Sequence, residues 1–482
     1  MTGKNVFSNF IWRFLERCGA QGVSFVVSLI LARLLDPSVY GAIALVTVFT
    51  TILSVIADGG LGGALIQKKD ADDLDFSSVF FFNVVVFGLM YFLLFLFAPL
   101  IADYYNLPEL VPVIRVLSLT LPISAVKNIQ HSYVAKNMMF KRFFYATLGG
   151  TVGAAILGIY MAYNGYGIWA LVVQNIFNQT VDTIILWMTV KWRHKKQFSF
   201  MRIRRLFSFG WKMAVSDLVN SLYEDIRSLI IGKVYTTSDL AFYNKGNQLP
   251  NLIVTNVNSS INSVLFPALS AEQDKIKRVR EMTRQAMKIS SYVMLPMMMG
   301  FAVCAEPLVR IILTEKWLPA VPYIRLFCLM YAFYPIRSAN LGAIKAIGRS
   351  DVYLKLEIIK DVIGITAIII SMRISVYAMA VGYVATTIIC QIINAIPNQR
   401  MLQYGYVDQI KDILPQIILT IIMGGIVYLI TLITLFQQND YLTLAVQIFV
   451  GVVVYIVGSY FGKIESFNYI LDVIRKVKTK ER

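Results

Sequence analysis

The chain has 482 residues and a formal net charge of +17, yet only 15% of its residues are charged and 57% are hydrophobic. A soluble domain carries roughly 25% charged residues, so this composition excludes a soluble globular protein.

Apolar stretches of about 20 residues, enough to cross a hydrocarbon core as helix, recur along the whole chain. Period-2 alternation is absent, so the expected class is an all-α integral membrane protein and not a barrel. About fourteen spans are predicted, at 10–34, 39–64, 77–101, 110–134, 142–163, 166–190, 206–232, 238–266, 285–312, 320–346, 352–372, 376–397, 410–436 and 441–462. Met1 to Asn9 run straight into the first span, whose start carries Arg13, Glu16 and Arg17, so no cleavable signal peptide is expected.

Span 1 places Arg13, Arg17, Gln21, Ser24 and Ser28 at steps of three or four, on one helical face. Span 2 carries Asp58, followed by Gly59, Gly60, Gly62 and Gly63 as candidate bends. The next loop, Asp70 to Asp75, holds Asp-X-Asp patterns of the kind that bind metal and nucleotide-sugar in glycosyltransferases. Between two spans it reads instead as a solvated loop capping the start of span 3. Span 4 carries Arg115 and Lys127, and a basic run from Lys191 to Arg205 follows span 6. Span 7 spaces Asp217, Asn220, Glu224 and Arg227 by three, four and three, with Asp225 beside them. Span 8 spaces Asn244, Gln248, Asn251, Thr255, Asn258 and Asn262 by four or three, with Lys245 adjacent. Arg325 and Arg337 lie in span 10, and Glu357, Lys360 and Asp361 near the start of span 11.

Amide and charged stripes cannot face lipid, because an unsatisfied polar group there costs several kcal/mol. Spans 1, 7 and 8 are therefore expected to turn polar faces to a shared interior. The ionisable residues either pair, as Glu224 or Asp225 with Arg227 or Lys245, or face a hydrated cavity; the surplus of Arg and Lys favours a net basic cavity. Amides suit hydroxyl-rich solutes, and Arg and Lys suit phosphate or carboxylate.

The remaining basic residues cluster on one side. Segments such as Lys68–Lys69, Lys191–Arg205, Lys275–Arg284 and the tail after Lys463 alternate with loops poor in Lys and Arg, which places both termini in the cytoplasm and argues against a nucleic-acid partner. Cys18, Cys304, Cys328 and Cys390 stand singly, and His131 and His194 have no ligand-like neighbours in sequence. No metal and no cofactor are expected, and no Gly-rich phosphate loop appears.

The chain also repeats itself. Ser28 to Ser38 is answered by Ser228 to Ser238, with Arg33 falling on Lys233. Phe10 to Arg13 is answered by Phe209 to Lys212, Ile114-Arg115 by Ile324-Arg325, and Pro122-Ile123 by Pro335-Ile336. Six spans separate each matched pair, so the two copies are parallel repeats. The expected organisation is an N-terminal lobe at 1–190, a basic linker at 191–205, a C-terminal lobe at 206–398, an extra helix pair at 399–462 and a basic tail at 463–482.

The stretch Trp12 to Arg17, Leu31 to Pro37 and Tyr40-Gly41 resembles the Wzx-type polysaccharide flippases of the multidrug/oligosaccharidyl-lipid/polysaccharide exporter superfamily, in their WzxC and TuaB-like branch. Leu229 to Lys233, Phe242 to Lys245, Ser263 to Pro267 and Gly348 to Asp351 carry the same resemblance. It implies two six-helix lobes, alternating access, and a multi-pass protein of the bacterial inner membrane. The implied substrate is undecaprenyl-diphosphate-linked oligosaccharide, moved to the outer leaflet with the help of an ion gradient. The expected partners are that lipid-linked glycan, the bilayer, and the polymerase and co-polymerase of the same pathway, with the chain working as a monomer.

On this reading Arg17, Lys127, Lys245, Arg325 and Arg337 receive the anionic head group. Asn244, Gln248, Asn251, Asn258 and Asn262 contact the glycan, and Asp217, Glu224, Asp225 and Asp58 couple the ion. Two other classes compete. A multidrug antiporter needs an acidic or aromatic cavity for organic cations, and a membrane polymerase or ligase needs catalytic residues in a large outward loop.

Overall fold

The computed structural model describes the backbone of residues 3–433 and 439–480, with side chains described for all of these except 3–18, 259–264, 266–268 and 473–480. Among the described residues the chain is helical, without strands. Packing divides it into two compact units, Met1–Ala241 and Phe242–Arg482. The sequence repeat divides earlier, after residue 190, so the helix of span 7 packs with the first unit.

Unit 1 contains α1 (Gly3–Leu34), α2 (Pro37–Asp58), α3 (Leu61–Gln67), α4 (Asp73–Tyr104), α5 (Leu110–Leu117), α6 (Thr120–Lys136), α7 (Phe140–Tyr163), α8 (Ile168–Thr189) and α9 (Phe200–Val234). α10 (Thr237–Ala271) begins at its end and runs into unit 2. Unit 2 continues with α11 (Ile276–Val303), α12 (Ala305–Ile312), a 3-10 turn (Glu315–Ala320), α13 (Val321–Ala332), α14 (Tyr334–Ala346), α15 (Ser350–Ser371), α16 (Val376–Leu402), α17 (Tyr406–Thr431), α18 (Asp440–Phe461) and α19 (Glu465–Lys480).

Among the described residues, eight helical stretches are long and apolar enough to cross a membrane: α2, α4, the α5–α6 stretch, α7, α11, α16, α17 and α18. The other six expected spans fall on α1, α8, α9, α10, α13–α14 and α15. Of α1 only the shorter apolar stretch Gly19–Leu34 was open to this comparison. α8, α9, α10 and α15 carry amides and charges within them, while α13–α14 is broken at Phe333. The full count of fourteen crossings therefore remains an expectation.

The breaks have local causes. Gly59 and Gly60 both adopt positive φ, 55° and 71°, which ends α2 and lets α3 restart. A Cβ at Gly60 would lie 2.1 Å from the Gly210 carbonyl oxygen of α9, so only glycine permits this backbone-to-backbone crossing. The breaks within spans 4 and 10 come just before the matched Pro122 and Pro335, whose missing N–H costs nothing in the first turn of α6 and α14. α7 meets α8 through small residues: a Cβ at Gly150 would come within 2.7 Å of Asn178 Oδ1 and 2.8 Å of its carbonyl oxygen.

Each unit has its own core. In unit 1, Leu65, Phe76, Phe80, Ile129, Leu186 and Trp192 are buried together, joining α3, α4, α6 and α8 to the linker. In unit 2, Met287, Ile336, Ala343, Leu402 and Ile413 join α11, α14, α16 and α17.

Candidate functional site

The polar stripe of α10 lies where the sequence put it, and much of it is uncovered. Gln248, Asn251 and Thr255 are exposed, Asn244 and Asn258 half-buried, and Lys245 buried. Thr255 Oγ1 donates to Asn251 Oδ1 at 3.2 Å, and Tyr331 donates to Asn247 at 2.7 Å. The Asn262 side chain lies outside the described residues, as does that of Arg17. On α9 no residue from Trp211 to Asp225 is buried; Asp217, Asn220 and Glu224 are exposed and Asp225 is half-buried. An uncovered amide or carboxylate at mid-helix requires water or a polar ligand beside it.

Two of the expected coupling carboxylates come together in unit 1. The Asp58 carboxylate lies against Gly62, with Gly60, the Asn128 side chain and Asp217 of α9 near enough to act on its charge. The glycine break places the start of α3, whose first N–H groups have no intrahelical partner, beside this carboxylate. Arg227 is buried and donates to the Tyr223 carbonyl and hydroxyl at 3.2 and 3.3 Å.

Three of the expected anion-binding residues are paired within their own units. Lys127 lies 3.4 Å from Asp182 of α8. Arg337 reaches Glu357 at 3.6 Å, and Glu357 also holds Lys360, which lies 3.5 Å from Asp361. Arg325 reaches Glu306 at 3.8 Å and donates from Nε to the Ala302 carbonyl at 3.4 Å. The matched Arg115 does the same in unit 1, donating to Phe95 O at 3.4 Å, so both arginines fasten the end of one span to the next.

Two features lay outside the sequence reading. Asp182 was not singled out, although Asn175, Asn178, Gln179 and Asp182 share one face of α8 at helical spacing. The structure brings Asp182 to Lys127 and to His131, whose Nε2 lies 3.8 Å from it, with Gln179 accepting from Ser124 at 3.2 Å. The acidic loop before α4 does cap it, since Asp72 and Asp75 form a capping box. It is less solvated than expected: Asp75 is fully buried, and the loop binds the basic linker through Lys195–Asp73 at 2.7 Å and Arg202–Asp75 at 3.4 Å. The Asp75 N–H beside Asp72, and the Lys195 hydrogen bond to its neighbour Asp73, tie helix cap and linker into one charged clasp.

Unit 2 has a comparable clasp. Arg284 of α11 donates to Asp412 of α17 at 2.6 Å, and Lys288 reaches Glu465 of α19 at 2.7 Å. The Lys288 ammonium holds the Glu465 carboxyl below the usual glutamate range. In unit 2, an open apolar groove of about 400 Å³ lies among α11, α17 and α18, lined by Met297, Phe301, Met423, Val427, Leu444 and Ile448. Gln447 also lines it, with neither amide atom hydrogen-bonded within the protein. Cys304, Cys328 and Cys390 are buried and free. Among the described residues no group of His, Cys, Asp and Glu has the arrangement of a metal site.

Comparison with known proteins agrees with this architecture. Residues 30–322 match the family model described as "Polysaccharide biosynthesis protein". The succinoglycan biosynthesis transport protein ExoT of Rhizobium meliloti (strain 1021) is 26% identical over 366 residues, covering 75% of this chain and 73% of its own. The lipopolysaccharide biosynthesis protein WzxC of Escherichia coli (strain K12) is 24% identical over 392 residues, covering 80% and 78%. The solved structure of the lipid II flippase MurJ in its inward closed conformation superposes with a TM-score of 0.75 at 17% identity, covering 96% of this chain and 99% of that one. At that identity the likeness is one of fold.

Proposed function

Because this chain belongs to the polysaccharide biosynthesis protein family whose model spans its residues 30–322, we propose that it is a flippase for a lipid-linked oligosaccharide. The substrate is a polyprenyl-diphosphate glycan, moved from the cytoplasmic to the outer leaflet of the inner membrane by alternating access. It acts as a secondary transporter and not as an enzyme, with both termini in the cytoplasm. ExoT is named for succinoglycan transport and MurJ for lipid II, both of which point the same way.

The observation that carries the reading is the uncovered polar face of α10 together with the bare middle of α9. Helices that would be lipid-exposed in a simple bundle present amides and carboxylates instead, which fits a path for a hydroxyl-rich head group. Arg17 and Lys127 of unit 1 and Lys245, Arg325 and Arg337 of unit 2 supply positive charge for the diphosphate, and Asn244, Gln248, Asn251, Asn258 and Asn262 meet the sugars. Asp58 and Asp217, with Glu224 and Asp225, couple an ion gradient. The apolar groove of unit 2 suits a hydrocarbon chain. A drug antiporter is disfavoured by the basic balance of these residues, and a polymerase by the short outward loops.

The test is deletion of the gene, followed by digestion with a glycosidase that reaches only the outer leaflet. Completed lipid-linked units should accumulate inside. Wild type should rescue their export, and Gln248→Leu with Asn251→Leu should not. Units displayed normally outside yet unpolymerised would overturn the proposal in favour of a polymerase.

A further inference from the structure

The ion cluster within unit 1 offers more chemistry than simple charge placement. Asp182 meets Lys127 Nζ at 3.4 Å and His131 Nε2 at 3.8 Å, both through Oδ2. Its second oxygen, Oδ1, has no hydrogen-bond partner within the protein. Exposure is graded across the three side chains: 41% for His131, 20% for Lys127 and 10% for Asp182. The Lys127 and His131 side chains are thus the more accessible ones, although His131 Nε2, turned toward Asp182, is itself buried and without a hydrogen bond.

One carboxylate balances one cation. We infer that Lys127, His131 and Asp182 form a proton-switched site for a phosphate-type anion, with Asp182 as the fixed counter-charge that keeps the site closed while His131 is neutral. Protonation of His131 leaves one positive charge uncompensated toward the accessible side, and an anion binds there. Loss of the proton returns Lys127 to Asp182 and releases it. The inference rests on the flippase reading and deepens it, because it assigns the proton a place at the head-group site.

Imidazole is the side chain whose charge ordinarily changes near neutral pH, and most charged groups around His131 are engaged elsewhere. Asp182 is the only charged residue of α8. From α7 the Phe143 ring packs on His131 at 4.5 Å, while Lys141 lies over the Tyr145 ring and Arg142 stands in the same first turn. At the α2–α3 break, Asp58 lies against Gly62 with Asp217 near it. The α4 acids Asp73 and Asp75 are held by Lys195, Lys68 and Arg202. Arg115 of α5 is turned to Phe95, and Lys136 of α6 to the carbonyls of Leu65 and Lys68.

The phosphate-type anion is either the diphosphate of a lipid carrier or a free inorganic ion. Two probes of constant charge separate these: a short-chain prenyl diphosphate methyl diester and inorganic sulfate. Binding of each to the full chain in detergent is measured by calorimetry. Wild type should bind the diester about tenfold more tightly at about pH 5.5 than at about pH 8, the worth of one added charged contact. His131→Gln should bind weakly at both, and Asp182→Asn tightly at both. The same shift with sulfate supports a site that reads the anion alone; a shift with the diester only supports a lipid head group. Wild-type binding that is tight but indifferent to pH, or a pH shift retained in His131→Gln, overturns the switch and leaves the flippase reading standing. Failure of wild type to bind the diester at either pH counts against both.

Discussion

Counted from the matched prolines, Pro122 and Pro335, the fifth residue on is Lys127 in unit 1 and Asn340 in unit 2. Both are turned into their units, and both meet polar side chains from a later helix. Around Asn340 the partners are neutral: it donates to Gln409 at 2.9 Å, accepts from Gln409 at 2.8 Å, and accepts from Asn398 at 2.7 Å. Around Lys127 they are ionisable, and Asp182 keeps an oxygen without a partner. An uncharged amide network fixes helices in one arrangement at little electrostatic cost, even with Asn398 Oδ1 left without a hydrogen bond. An incompletely satisfied ion cluster is costly to hold, so its retention points to use. One repeat position thus serves as a fastener in unit 2 and as a candidate switch in unit 1.

Substitutions can break this contrast, beginning with the largest effect. Lys127→Ala strands Asp182 and should cost about 3 kcal/mol, the low end for a buried ion pair broken from one side, because His131 remains beside it. Unfolding in mixed detergent measures it, and Lys127→Ala with Asp182→Ala should recover most of the stability while transport stays lost. Asn340→Leu should cost about 2 kcal/mol by removing its side-chain bonds to Gln409 and Asn398 and leaving Gln409 Oε1 without a donor, yet transport per folded molecule should persist. If Asn340→Leu abolished transport in well-folded protein, the contrast would fail.

Smaller effects sharpen it. Gly150→Ala pushes α7 against Asn178, one helical turn from Asp182, and should cost about 1.5 kcal/mol of overpacking with a measurable slowing of transport. Asp72→Ala removes the cap of α4, away from both clusters, and should cost about 1 kcal/mol without changing transport. The Asp75 N–H holds the Asp72 carboxyl below the usual aspartate range. Its stabilisation is therefore complete above that range and fades as pH falls through the lowered value, so wild type and Asp72→Ala should converge in acid.

Much of the architecture was legible in sequence because lipid imposes it. Helical segments, the one-sided stripe of α10 and the Arg115/Arg325 match all follow from length, period and repeat. Asp182 was not legible as a partner, since its contacts with Lys127 and His131 join residues about fifty apart, and spacing reports only neighbours on one helix. The linker clasp escaped for the same reason: Asp73 and Lys195 each looked like a solvated charge. Arg325 was legible as a charge within a span, but the turn of its Nε to the Ala302 carbonyl was not. A polar residue inside a span says that something polar lies beside it, and only packing says whether that is the protein itself.

The most direct measurement reconstitutes the purified chain in liposomes with a labelled polyprenyl-diphosphate oligosaccharide and follows its exposure to an added glycosidase. The account predicts labelled lipid crossing to the accessible leaflet with wild type, faster under an imposed pH gradient, and not with Gln248→Leu plus Asn251→Leu. Equal crossing with both proteins, or none with wild type, would contradict it.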